Sequence, residues 1–73
     1  MNEIYNKIMT LISINGKLPR VVYYDFESID EYKLREDVMQ LLRDHHFTPT
    51  LIFPGCDYEF GRLIVEYPAG RYL

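Results

Sequence analysis

The chain has 73 residues, of which 48% are apolar, 26% charged and 15% aromatic, and its formal net charge is −3. This length predicts a single domain over residues 1–73 and leaves little interior for a deep, water-free active site. The acidic balance argues against a nonspecific phosphate binder, and the single cysteine excludes an intramolecular disulfide.

The first predicted element is a helix over residues 2–13. Its apolar side chains recur at helical spacing, at Ile4, Tyr5, Ile8, Leu11 and Ile12. Gly16 is a typical helix terminator and Pro19 prevents the helix from resuming. The β-branched and aromatic residues that follow predict a strand over residues 20–26.

A capping box predicts where the second helix begins. Ser28 is followed three residues later by Glu31, and Asp30 adds negative charge in the first turn. Leu34, Val38, Leu41 and Leu42 then recur on one face, which predicts a helix over residues 29–45.

Two further strands are predicted, over residues 47–53 and 60–67, separated by a turn at Pro54-Gly55. Pro49 has no N–H to donate, which indicates either an edge position for its strand or a late start of that strand. We expect these two strands to form an antiparallel hairpin, and the first strand to reach the second by a right-handed parallel crossover. The predicted fold is a two-layer α+β sandwich, with two helices on one face of a three-stranded mixed sheet, in the order α-β-α-β-β.

Two helices can cover one face of such a sheet, so the other face is the first candidate for binding. Strand alternation assigns the more polar residues outward: Val21, Tyr23 and Asp25 on the first strand, and Arg62, Ile64 and Glu66 on the last. Apolar and aromatic groups with a charged rim are typical of protein-binding surfaces. Imperfect alternation would produce the same pattern with no function.

An acidic cluster precedes the second predicted helix, at Asp25, Glu27, Asp30 and Glu31. Residues 25–44 hold seven acidic and three basic side chains, a net charge of −4, whereas the remainder has four and five, a net charge of +1. The cluster suits docking to a basic protein surface. Helix capping and solvation are the simpler explanation, above all for Asp30 and Glu31.

The sequence shows little sign of catalysis or metal binding. The best candidates for a metal or nucleophilic site are His45, His46 and Cys56. Structural zinc needs four ligands, however, and a Cys–His nucleophile needs a third orienting group and an oxyanion site. The many aromatic residues could stack single-stranded bases, but few basic residues accompany them. We expect no cofactor, no metal and no enzymatic activity.

The residues therefore favour a small acidic, non-catalytic protein-binding module, acting as an adaptor, inhibitor or regulator of a larger protein. The expected partner-binding residues are Tyr23, Asp25, Glu27, Asp30 and Arg62. A homodimer through the open sheet face or an edge strand is a further expectation, because small domains often gain support from oligomerisation. No apolar run approaches the ~20 residues of a membrane span, so we expect a cytoplasmic protein. The alternative is a nucleic-acid-associated regulator that uses the sheet or the C-terminal hairpin.

Overall fold

The computed structural model describes residues 2–15 and 20–68. They form α1 (Glu3–Asn15), β1 (Val21–Asp25), α2 (Ile29–Lys33), α3 (Arg35–Asp44), β2 (Thr48–Ile52) and β3 (Arg62–Glu66). The prediction that the fold belongs to the α+β class is confirmed. The terminators Gly16 and Pro19, and Gly70 after the last strand, lie outside the described residues.

Helix α1 begins one residue later and ends two residues later than predicted. The side-chain oxygen of Asn2 accepts the backbone N–H of Tyr5 at 2.9 Å, which caps the first turn. At the other end, the Asn15 side-chain amide donates to the hydroxyl of Tyr67 at 2.9 Å. This contact with a residue 52 positions away lies beyond what local spacing could predict.

The second predicted helix consists of two helices separated at Leu34. Ser28 caps α2 as predicted, since its hydroxyl accepts the Glu31 N–H at 3.1 Å. The Leu34 N–H then donates to the carbonyl of Glu31 at 3.0 Å, a tighter turn than the α-helical one. The Arg35 guanidinium donates to the Tyr32 carbonyl at 3.1 Å and lies over the Tyr32 ring, which stabilises the break.

The predicted mixed sheet is wrong, because the strand order is β1-β3-β2 and both pairings are antiparallel. The predicted β2–β3 hairpin is confirmed, but β3 lies between β1 and β2. These two strands run in the same direction without touching. A central β2 would place Pro49, which lacks an N–H, inside two ladders, whereas at the edge the missing donor costs nothing.

One hydrophobic core joins the helices to the sheet. Helix α1 packs against β1, α3 packs against β2, and the two helices contact each other. The core holds Ile4, Ile8 and Ile12 from α1, Val38, Met39 and Leu42 from α3, Val22 and Tyr24 from β1, Leu63 and Val65 from β3, and Phe26, Phe47 and Tyr67 beside the strands.

Candidate protein-binding surface

The strand residues that do not enter the core share the opposite side of the sheet, here called the outer face. Directly opposed residues of paired strands point to the same side. Register therefore arranges the outer face in three rows: Val21–Glu66–Thr48, Tyr23–Ile64–Thr50 and Asp25–Arg62–Ile52. Each of these residues is exposed or partly exposed, as alternation predicted for β1 and β3.

Arg62 lies at the centre of a compact group on this face, here called the Arg62 cluster: Tyr23, Asp25, Tyr58 and Arg62. The guanidinium carbon is 4.1 Å from the centroid of the Tyr58 ring and 5.1 Å from that of Tyr23. The same guanidinium donates to both carboxylate oxygens of Asp25, at 2.5 Å from Nε and 3.2 Å from Nη2. Arg62 is thus held between two aromatic rings and a bidentate carboxylate.

The hydrogen bond from Arg62 is the largest influence on Asp25 and lowers its pKa; burial opposes this shift, and the positive charge of the guanidinium adds to the lowering. Asp25 is therefore ionised at neutral pH and its charge is balanced within the molecule. Asp25 therefore adds little to the net negative charge of the acidic cluster. Its structural effect is to fix the position of Arg62, which leaves Tyr23, 53% exposed, beside an oriented cation.

The other three residues of the acidic cluster, Glu27, Asp30 and Glu31, lie away from the outer face. Glu27 is paired with Lys7 of α1, at 3.4 Å between Nζ and Oε2. Lys7 makes a second contact of the same length with Glu31. Asp30 is exposed in the first turn of α2 and enters no ion pair among the described residues. Of the five predicted partner-binding residues, the fold brings Tyr23, Asp25 and Arg62 together, and leaves Glu27 and Asp30 outside that group.

Glu31 has a structural position in a hydrogen-bond network. Its Oε1 accepts the Tyr24 hydroxyl at 2.7 Å and the Glu27 N–H at 2.9 Å. Burial works to raise the pKa of Glu31, but these hydrogen bonds and Lys7 together hold it below its ordinary value. The pKa of Tyr24 is raised, first by burial and then by its hydrogen bond to Glu31. The carboxylate thus joins α1, β1 and α2.

The histidines and the cysteine do not converge. His45 lies at the C-cap of α3 with its ring 5.4 Å from that of Tyr5, and it is exposed rather than half-buried as its place on the apolar stripe suggested. Cys56 is an exposed free thiol in the β2–β3 connection. Across residues 2–15 and 20–68, no three His, Cys, Asp or Glu side chains are grouped so that they could hold a metal ion.

Tyr58 is the member of the Arg62 cluster that sequence reasoning missed. It lies in the irregular connection between β2 and β3, where periodicity gives no signal. Its carbonyl accepts the N–H groups of Gly55 and Gly61 at 3.0 and 3.1 Å, which fixes its backbone beside the first residue of β3. The glycines and the tyrosine were visible in the sequence, but their mutual hydrogen bonds were not.

Comparison with known protein families, with curated proteins and with solved structures finds no match to this chain. Within the part of the chain that the structure describes, every helix is too short or too polar to cross a bilayer.

Proposed function

We propose that this chain is a small acidic, non-catalytic protein-binding module that regulates a larger cytoplasmic protein by docking through its outer face. The observation that carries the proposal is the Arg62 cluster. Tyrosine and arginine are enriched among the residues that dominate binding energy at protein interfaces. Here an arginine is held in one orientation on an open sheet, between Tyr23 and Tyr58.

Preorganisation is the physical reason for choosing this surface. A long arginine side chain normally loses rotamer freedom when it enters an interface, at a cost of about 0.5–1.5 kcal/mol. The bidentate contact with Asp25 and the two tyrosine rings restrict Arg62 before any partner arrives. Ile64 and Val21, both partly exposed, supply apolar area beside it.

The charges of the outer face favour a protein over a nucleic acid. Arg62 is its one basic residue and is paired with Asp25, while Glu66 adds a further negative charge. A surface that binds phosphates gains its affinity from several unpaired cations. Asp30 and Glu27, outside the outer face, would steer a basic partner towards the module rather than bind it directly.

Affinity capture with matched variants tests the proposal. We expect Tyr23→Ala and Arg62→Ala each to weaken partner binding by about 2 kcal/mol or more, the range of dominant interface residues. Ile29→Ala is the control, because Ile29 is 50% exposed but lies in α2, away from the outer face. Circular dichroism verifies that all three variants fold.

Two results would count against this proposal. Equal binding by all three variants would remove the outer face as the docking site. A salt-sensitive gel shift with oligonucleotides, lost in Arg62→Ala, would favour the nucleic-acid alternative instead, since phosphate contacts weaken as salt rises.

A further inference from the structure

The two edges of the sheet differ in the backbone groups that they leave open. The N–H of Phe26 donates to Gly61 and the N–H of Tyr67 donates to the carbonyl of Arg20. Backbone groups alternate in direction along a strand, so the even-numbered residues of β1 bond to β3. Val21, Tyr23 and Asp25 therefore direct their N–H and C=O groups away from the sheet.

The edge at β2 is blocked by a proline. The even-numbered residues of β3 face β2 and bond to Thr48, Thr50 and Ile52, because its odd-numbered residues face β1. Pro49 and Leu51 consequently point outward, and Pro49 has no N–H to offer an added strand. Proline at this position is a known protection against edge pairing.

Strand β1 has no proline, and its one charged residue, Asp25, is its last. Its five residues, Val-Val-Tyr-Tyr-Asp, include no proline, lysine or glycine, and its register with β3 is continuous. Beside this edge, Leu11, Ile14, Val21 and Tyr23 line an open groove between α1 and β1. Ile14 is 77% exposed there, the largest exposed fraction among the large apolar residues of the described chain.

We propose that β1 pairs antiparallel with β1 of a second copy of this chain, across a two-fold axis at Tyr23. In this register Tyr23 faces the partner's Tyr23, and Val21 faces the partner's Asp25. Every outward-directed residue of β1 then has a hydrogen-bonding counterpart, whereas a shift in either direction leaves one unpaired. The carbonyl oxygen of Val21 already accepts a hydrogen bond from the side-chain amide of Asn15 at 3.4 Å. Its second lone pair is free to accept the N–H of the partner strand.

Charge complementarity favours a second copy over an unrelated extended peptide. Arg20 immediately precedes β1 and Glu27 follows it by two residues, and both are exposed. In this register Arg20 of each copy lies opposite the partner's Phe26 and one residue from Glu27, once on either side of the axis, so that it adds a second cation beside the existing Lys7–Glu27 contact. A parallel arrangement would instead place like charges together. Ile14 and Leu11 become covered beside the joined edges, which accounts for their apolar character.

Self-association measured by sedimentation over a range of concentrations tests the inference. We expect a reversible dimer whose dissociation constant rises at least about tenfold in Ile14→Glu, because two buried copies of the new charge lie beside the joined edges. Ile29→Glu is the matched control, since it places the same charge on another exposed isoleucine, 50% exposed, which lies in α2. Its dissociation constant stays at the wild-type value.

A charge swap tests the register. Arg20→Glu and Glu27→Arg each weaken the dimer several-fold, and the double variant restores it. Chemical synthesis with an N-methyl group on the Tyr23 nitrogen abolishes the dimer while leaving the ladder to β3 intact. A monomer at every concentration up to about 1 mM, equal effects of the two isoleucine variants, or failure of the double variant to rescue would overturn the proposal.

This inference stands apart from the proposed function. Ile14 and Arg20 lie off the outer face and have no part in the proposed docking, so their variants lose self-association without losing the docking residues Arg62 and Tyr23. Loss of the dimer in Thr50→Lys, which changes the outer face but no free edge group of β1, would indicate face-to-face association and overturn edge pairing.

Discussion

At the scale of single residues, the C-terminus of α3 is closed by a histidine in a conformation that usually belongs to glycine. His46 has φ = 70°, in the left-handed region. Its N–H donates to Arg43 and the Phe47 N–H donates to Leu42, both at 2.9 Å, which is the hydrogen-bond pattern of a Schellman motif. Phe47 and Leu42, the two residues that such a motif places near each other, are both buried in the hydrophobic core.

We expect His46→Gly to stabilise the protein by about 1 kcal/mol, because glycine adopts the left-handed conformation without the steric cost of a Cβ atom. Urea denaturation gives the difference. His45→Gly is the control, since φ is −98° at that position and glycine there only adds flexibility to the unfolded chain. A His46→Gly variant no more stable than the wild type would contradict this account of the helix terminus.

At the scale of elements, Gly61 is the point where the hairpin, β1 and α2 meet. Its φ is +90°, and a Cβ atom there would lie 2.9 Å from the carbonyl oxygen of Ile52 and 3.2 Å from the Tyr32 ring. The Gly61 carbonyl accepts the Phe26 N–H at 3.0 Å, and the Phe26 and Tyr32 rings meet edge to face at 5.8 Å. Close packing of α2 on the sheet thus requires a residue without a side chain.

Gly61→Ala should lower the free energy of unfolding by about 2 kcal/mol or more, from the unfavourable φ together with the contact on Ile52 and Tyr32. Thermal or chemical denaturation measures the loss. Gly55→Ala provides a matched comparison in the same connection, because the nearest atom to its Cβ would be the Phe53 carbonyl oxygen at 4.0 Å. We expect it to change stability by no more than about 0.5 kcal/mol; similar losses in both variants would argue against the packing explanation.

The break at Leu34 shows why element boundaries were only partly predictable. Apolar spacing over residues 29–45 is continuous, and Leu34 belongs to it, yet Leu34 is 48% exposed and separates α2 from α3. The contacts of Tyr32 with Phe26 and Gly61 orient α2 on its own. Periodicity shows which residues are apolar, but it cannot show that α2 packs against Phe26 and Gly61 in an orientation different from that of α3.

At the scale of the whole molecule, the Glu31 carboxylate links three elements and makes stability depend on pH. Its pKa in the folded protein lies below the ordinary value of 4.5, so folding favours the ionised form. The resulting stability is fully present above the pKa of the unfolded chain and is lost as the pH falls through the folded-state value. Asp25, whose pKa is lowered by Arg62, contributes with the same sign.

Glu31→Gln should therefore reduce stability at pH 7 by about 1–3 kcal/mol, because a neutral amide oxygen accepts the Tyr24 and Glu27 hydrogen bonds more weakly than a carboxylate does. The amide NH₂ group also replaces the oxygen that contacts Lys7. The stability of this variant should decline less steeply than that of the wild type below pH 4.5, and the two curves should converge in acid. Denaturation at a series of pH values measures this. Glu59→Gln, an exposed carboxylate in the β2–β3 connection, is the control. Parallel curves for Glu31→Gln and the wild type would contradict the assigned network.

The sequence by itself determined what depends on near neighbours. Helical spacing, strand alternation and the Ser28 cap involve residues a few positions apart, so their patterns are visible in one dimension. Alternation also assigned Tyr23 and Arg62 to the outer face. Pro49 indicated an edge position or a late start for its strand, and the structure places β2 at an edge of the sheet.

Only the tertiary structure decided what depends on distant pairs. Asp25 and Arg62 are 37 residues apart in the sequence. Because they pair, Asp25 holds Arg62 in position instead of adding an unbalanced charge to the acidic cluster. The position of β3 between β1 and β2, and of Tyr58 over Arg62, likewise arises from contacts across the sheet. Such contacts form because the core selects one strand order, and no local pattern of residues encodes which distant partner each side chain will meet.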